Sequence, residues 1–578
     1  MTGVPPIPDE PGLGAYPVAT RRWLPAIVLA IAVLYALAVN GQWAIRPDSA
    51  LYLALGRSLA EGRGMEFNGQ QTWGIPPLLP VLVAGCRLLV GPHHLWVLNA
   101  LVSLCALGTA LAMTGVVNRL TPSLPDRARS QLIVGTLLVT GLSARLFADA
   151  TRILTDVPFA FFFLLCVYGF VRSRDGHWAW CLAGTAAMVV GTATRLASLA
   201  LFPPVVLAVV LGWGRPGYRK RLLATLGAAV LLAAGFGFWF WTVRGQADPG
   251  SADYFQGAEA RMGNVLEPAY WSRMLEGVLH LPQAIADALT DQKMYGLNLV
   301  PAAFVAIGLG VAGRRREWIV VLPVVCYVAF LIAWAAEAAV AARYLLPVMP
   351  LCAYALLLGA RWTGGVAVRW ARSDKVRRAG PHAVAAAAVV FCLAVSLPRS
   401  LRSIYWARHA EFYRVYEHGK WEDVVRVSRV LRRRGRTGRD AVVTPEFTVV
   451  HYLTRLRVVT GPLWEHQGQD FGMWNPEAIP PRVFADAVAA KRVRFLVIPT
   501  DEAGWSDAVL EVLAETGAYG SPQACGTLAV LERHPAGPVP AGVRRGGARL
   551  HNAVQVPRRW GRVSSSPVER DGWYRSRR

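Results

Sequence analysis

From Trp23 to Leu397 the sequence alternates between apolar runs and short polar segments that carry arginine, and this alternation decides most of what the chain can become. A bilayer core is crossed by about 20 apolar residues in a helix, because a helix satisfies its backbone hydrogen bonds within itself. Runs that approach this length are Trp23 to Asn40, Leu95 to Asn118, Gln131 to Phe147, Asp156 to Val171, Trp178 to Thr194 and Leu196 to Trp213. Leu222 to Val243, Asn298 to Val311, Trp318 to Ala336, Tyr344 to Ala360 and Ala383 to Leu397 follow. With 54% of residues hydrophobic and 17% charged, the composition agrees: a membrane is the natural solvent for this chain.

The formal charge of +24 could point to nucleic acid, but the arginines gather between apolar runs and near the C-terminal end, a pattern that speaks of topology instead. One run is decisive for that topology. Pro76 to Val90 is short and is introduced by Pro76-Pro77. If it lies along the membrane surface, Arg119/Arg127/Arg129, Arg172/Arg174, Arg215 to Arg221, Arg314 to Arg316 and Arg361 to Arg378 all share a side with Arg21-Arg22. Cytoplasmic loops carry such an excess of positive charge, so the sequence predicts about eleven spans with the N-terminus in the cytoplasm. Arg21-Arg22 before an apolar stretch could also open a signal peptide, with Ala36-Leu37-Ala38 as its cleavage site; the length of the run and the spans that follow favour a retained anchor.

The expected architecture is an α-helical polytopic membrane protein with a small extracytoplasmic α/β domain. Residues 1–22 form the cytoplasmic tail, 23–397 the transmembrane domain, 398–534 the α/β domain and 535–578 a basic, disordered tail. In the α/β part, helices are expected at Trp421 to Leu431, Val483 to Ala490 and Ser506 to Glu515. Strands are expected at Ala441 to Val443, Arg457 to Val459, Phe495 to Ile498 and Leu528 to Leu531. Seven of the eight cysteines lie in apolar runs, with no CxxC and no histidine at ligand spacing, which argues against a disulfide framework or a zinc site.

The predicted outer segments are Gly41 to Ile75, Ala148 to Thr155, Arg244 to Leu297, Glu337 to Arg343 and the chain after Pro398; candidate functional residues fall there. Leu51, Leu55 and Leu59 recur every four residues, with Arg57 and Glu61 off that face, as in a short amphipathic surface helix. Asp48 stands at its start, where it can cap the helix or act as a carboxylate at the lipid–water boundary. Asp156, after Arg152 and Thr155 and before Pro158, has the same two readings, since an acid at the edge of a span is costly unless used. Arg195 and Arg343 can snorkel to the interface or bind a phosphate.

Pro47-Asp48-Ser49-Ala50-Leu51-Tyr52, Glu61-Gly62-Arg63-Gly64, Pro76-Pro77-Leu78-Leu79-Pro80, Leu154-Thr155-Asp156-Val157-Pro158-Phe159 and Arg343-Tyr344-Leu345-Leu346-Pro347 occur in that order. In this the sequence resembles the GT-C glycosyltransferases, in the branch of protein O-mannosyltransferases and aminoarabinose transferases. The resemblance implies a GT-C-like fold and an enzyme that moves a sugar from a polyprenyl-phosphate donor to an acceptor hydroxyl with inversion. It makes Asp48 the base and Asp156 a second acid that positions acceptor or base. It also places Tyr52, Arg152, Arg195, Glu337 and Arg343 around the substrates, with Arg195 and Arg343 facing the phosphate leaving group. The acceptor could be protein, lipid or polysaccharide; no nucleic acid and no cofactor is expected. Members often carry a second acid directly after the first, and here Ser49 stands there, so no metal ligand set is expected, although a divalent metal is conceivable. The competing readings are a transporter or flippase of lipid-linked substrates and a non-catalytic envelope scaffold. A transporter is expected to show internal repeats and acids at mid-membrane, and the acids here sit at the ends of spans.

Overall fold

A computed structural model describes residues 16–173, 178–211, 268–291, 297–334, 342–409, 420–458 and 493–533, short gaps aside, with a few isolated positions between. Leu222 to Val243, Val483 to Ala490, Glu337 and the basic tail lie wholly or almost wholly outside the described residues. The chain forms two compact units.

The first unit is helical. Its helices are α1 (Val18–Ala38), α2 (Pro47–Ala60), α3 (Leu78–Leu89), α4 (Leu95–Leu120), α5 (Asp126–Gly141), α6 (Ala144–Ala150), α7 (Asp156–Arg172), α8 (Trp178–Thr194) and α9 (Phe202–Leu211). Then come α10 (Pro268–Thr290), α11 (Leu299–Arg314), α12 (Trp318–Trp334), α13 (Met349–Ala367) and α14 (Asp374–Arg408). By length and composition α1, α4 and α14 can each cross a membrane, and α5 with α6, bent by 47°, makes a fourth candidate span. Every run read as a span, apart from Leu222 to Val243, coincides with helix. Helix α3 has 12 residues, which reach about 18 Å, against the roughly 30 Å of a bilayer core. It packs along α2, as a surface helix can.

Close approach between helices depends on glycine. A side chain at Gly308 of α11 would run into the Ala355 carbonyl of α13, and one at Gly359 would run into Phe304. Gly169 of α7 and Gly184 of α8 meet backbone to backbone in the same way. Without a hydrophobic drive between helices in lipid, such small-residue contacts supply the dispersion that holds them together.

Several readings change at this level. Arg57 was expected on the open face of α2, and it is buried. A later helix, α16 (Phe447–Thr454), covers it: Arg57 donates to the Tyr452 carbonyl at 2.9 Å and stacks on the Tyr452 ring, 5.4 Å from its centroid. Burial, then the nearby Arg455 charge, pushes the Arg57 pKa down to about 10. Segment Glu446–Arg455 therefore groups with the helical unit. Helix α14 also passes through Pro398 unbroken to Arg408. Ser400 bonds the Leu142 carbonyl and the Ser396 carbonyl in its own helix, so polar contacts support the turn around the proline.

The second unit contains most of α15 (Lys420–Arg434), strands β3 (Ala441–Val443), β4 (Arg457–Val458), β5 (Phe495–Pro499), β6 (Gln523–Ala524) and β7 (Leu528–Glu532), and α17 (Ala503–Thr516). A hairpin of β1 (Glu66–Phe67) and β2 (Gln70–Gln71) belongs to the first unit. The sheet order is β4-β3-β5-β7-β6, with β3 parallel to β4 and β5, and β7 antiparallel to β5 and β6. Strand β5 is buried along its whole length, as befits a central strand covered on both faces. Leu496 and Ile498 share a core with Val443, Phe484, Val509, Leu513 and Leu531. The short edge strand β6 carries no run of apolar residues and was not read from the sequence.

Candidate active site

Two helices of equal length set the first half of the site. Helices α7 and α8 have 17 residues each, are joined by a short connection and pack through Gly169 and Gly184. The start of one therefore faces the end of the other. Asp156 opens α7 and Arg195 directly follows α8, in extended backbone at φ −152° that stops the helix. Arg195 Nη1 donates to Asp156 Oδ1 at 2.6 Å and reaches Thr155 Oγ1 at 3.4 Å. The Tyr52 hydroxyl, one turn beyond Asp48 in α2, lies 3.3 Å from the same Thr155 oxygen.

The other half is built on α2 and on the 3-10 segment Ala342–Leu345 that precedes α13. Helix α2 starts at Pro47, whose ring presets the first helical turn, with Arg46 at the cap position. Arg46, not Asp48, occupies the cap position, and Asp48 lies in the first turn; its Oδ2 lies 3.3 Å from Arg343 Nη2. Asp156 is likewise not engaged as a cap, and no side-chain cap is made by Thr155. Arg343 also donates to the Tyr344 hydroxyl at 3.1 Å. The Tyr344 ring stands between the two cations, 4.9 Å from the Arg343 guanidinium and 5.7 Å from that of Arg195. Asp48, Arg343, Tyr344, Arg195, Asp156, Thr155 and Tyr52 thus form one connected polar group.

Exposure separates the two acids. The Asp48 side chain is 47% exposed and that of Asp156 only 4%. Asp156 gives one oxygen to a tight, sheltered pair, whereas Asp48 keeps an open edge that another molecule can reach. Burial works against the Arg343 charge, but the Asp156 and Asp48 carboxylates and then Tyr344 carry its pKa upward, so it remains a cation.

Arg152 goes elsewhere. Its Nη1 donates to Asp149 Oδ1 at 2.7 Å, and Arg145 Nε takes the other Asp149 oxygen at 3.1 Å. Arg145 continues to Asp291 at 3.3 Å, and Arg399 of α14 approaches Asp291 at 3.8 Å. This network ties α6, α10 and α14 together beside the site. Tyr344 and Thr155 were not singled out as site residues from sequence; the signal was their position next to Arg343 and Asp156. Among the described residues no three His, Cys, Asp or Glu side chains come together.

No protein-family model matches the sequence, and no curated protein does either. Solved structures do. ArnT from Cupriavidus metallidurans bound to undecaprenyl phosphate superposes with a TM-score of 0.53 at 17% identity, over 89% of this chain and 99% of that one. Its apo state gives 0.54 at 15% identity, over 89% and 98%. The oligosaccharyltransferase of Archaeoglobus fulgidus in the apo form gives 0.49 at 13% identity, over 87% and 73%. The likeness to ArnT establishes the fold: this chain has the GT-C architecture of a multi-pass membrane protein with a small C-terminal mixed sheet.

Proposed function

We infer that this protein is a membrane glycosyltransferase that moves a sugar from a polyprenyl-phosphate-linked donor to an acceptor hydroxyl, with inversion at the anomeric carbon. The observation that carries the reading is the half-open Asp48 carboxylate set against Arg343, with Arg195 on the other side of Tyr344. Asp48 takes the acceptor proton as the acceptor oxygen attacks the anomeric carbon, and the bond from that carbon to the phosphate oxygen breaks. The leaving lipid phosphate departs with the bonding electrons, and Arg343 and Arg195 meet its growing negative charge. Asp156 holds Arg195 in place, and Tyr52 and Thr155 order the edge nearest the acceptor. The fold shared with ArnT, whose structure holds undecaprenyl phosphate, supports a lipid-phosphate donor.

The arginine pattern supports an inner-membrane protein with its N-terminus in the cytoplasm and the α/β unit outside. The acceptor hydroxyl belongs to a protein, a lipid or a polysaccharide, and Arg152, which bonds Asp149, has no proposed step of its own. The test uses membranes that contain either the parent chain or Asp48→Asn, incubated with a labelled polyprenyl-phosphate sugar. Label is expected to reach an acceptor with the parent only; transfer retained by Asp48→Asn removes Asp48 as the base.

A further inference from the structure

Arg343 lies where two different anions can use it: the carboxylate of Asp48 and the phosphate of the donor. We propose that these two exchange, so that Asp48 holds Arg343 until the donor arrives, the lipid phosphate takes the arginine over, and the Asp48 carboxylate is then unmasked as a base. The inference rests on the reading of this site as a lipid-phosphate glycosyltransferase and adds an order of events to it.

Four features carry it. The Asp48–Arg343 contact is long at 3.3 Å, and its partners are 47% and 33% exposed, so water and incoming anions compete for it. Arg343 is anchored independently by the Tyr344 hydroxyl and ring, which lets it change anion without leaving its place. Asp156 offers no equal alternative, because Arg195 already engages it at 2.6 Å. The donor's phosphodiester carries one negative charge, as a carboxylate does, and its non-bridging oxygens match a guanidinium fork; that charge grows toward a monoester's as the bond to the sugar breaks. While Arg343 holds Asp48 Oδ2, that oxygen is engaged; once released beside a bound donor it is available to accept from the acceptor hydroxyl. Donor therefore loads first, and the acceptor hydroxyl is activated only when a sugar is there to receive it.

The experiment titrates undecaprenyl phosphate into the purified full-length protein in nanodiscs, with apparent Tm recorded for each variant to show that it is folded. Asp48→Asn removes the competing anion and is expected to bind about fivefold more tightly than the parent. Asp48→Glu keeps the charge and is expected to bind as the parent does. Unchanged or weaker binding by Asp48→Asn, or equal tightening by Asp48→Glu, overturns the exchange and leaves the transfer reading standing. If the parent shows no saturable binding and Arg343→Gln is indifferent, the transfer reading fails and the exchange with it.

Discussion

Asp48 and Asp156 each face an arginine, yet the two pairs are built in opposite ways. Asp156 and Arg195 are nearly closed to solvent, meet at 2.6 Å and sit at the joined ends of two packed helices. Asp48 and Arg343 are partly exposed, at 47% and 33%, meet at 3.3 Å and stand on α2 and a 3-10 segment. A sheltered pair is expensive to break, because the surviving partner is left charged and desolvated, whereas an exposed pair contributes roughly 0–1 kcal/mol. The difference teaches that charge pairing alone does not define a role. The first pair is suited to hold geometry and the second to change partners.

The comparison can be broken most strongly at Asp48. Asp48→Asn is expected to lower transfer by about 10²- to 10⁴-fold, the usual contribution of a general base, with little change in apparent Tm; initial rates and a thermal melt read both. The opposite pattern is expected at the sheltered pair. Asp156→Ala should cost about 3–5 kcal/mol of stability by leaving Arg195 uncompensated, and Asp156→Ala with Arg195→Leu should recover part of it. A melt in which Asp48→Ala and Asp156→Ala are equally harmful would erase the contrast. Arg343→Gln is expected to weaken polyprenyl-phosphate binding by about 10- to 150-fold, in keeping with the loss of one charge-assisted hydrogen bond of roughly 1.5–3 kcal/mol. The smallest effect is expected from Tyr344→Leu, which removes a ring shared by two guanidinium groups. Each such contact contributes about 0.5–1 kcal/mol, so donor KM should rise a fewfold while folding persists.

The α/β unit and the helical unit also differ in how they were legible. The central strand β5 and the helices α15 and α17 were visible as an apolar run and amphipathic patterns, because a buried strand must be apolar along its length. The edge strand β6 has only two residues, Gln523 and Ala524, and nothing in its composition marks it. In the helical unit the apolar runs were readable as helices for the same reason of solvent matching, although among the described residues three of these helices, or four with the bent pair, have the length and composition of a span. The burial of Arg57 was not, since its cover, α16, lies nearly four hundred residues along the chain.

The candidate site was half legible. Asp48, Asp156, Arg195 and Arg343 could be named because ionisable groups at the ends of apolar runs are costly and therefore conspicuous. The equal lengths of the runs before and after residues 174–177 also placed Asp156 near Arg195, although that consequence is plain only when both helices are seen to be 17 residues long. Arg152 looked equivalent to these residues in sequence and turned toward Asp149 instead. Tyr344 looked like part of an apolar run and became the ring between two cations.

By itself the sequence determined that the chain suits a membrane, which segments are helical there, and which acids stand in the short motifs beside them. Apolar length and charge placement are local properties, and the bilayer reads them segment by segment. Only the tertiary structure decided which arginine each acid meets, which acid remains open, and that α2 is covered by α16. Those outcomes depend on helix packing through glycine contacts and on partners distant in the chain, and no local pattern contains them.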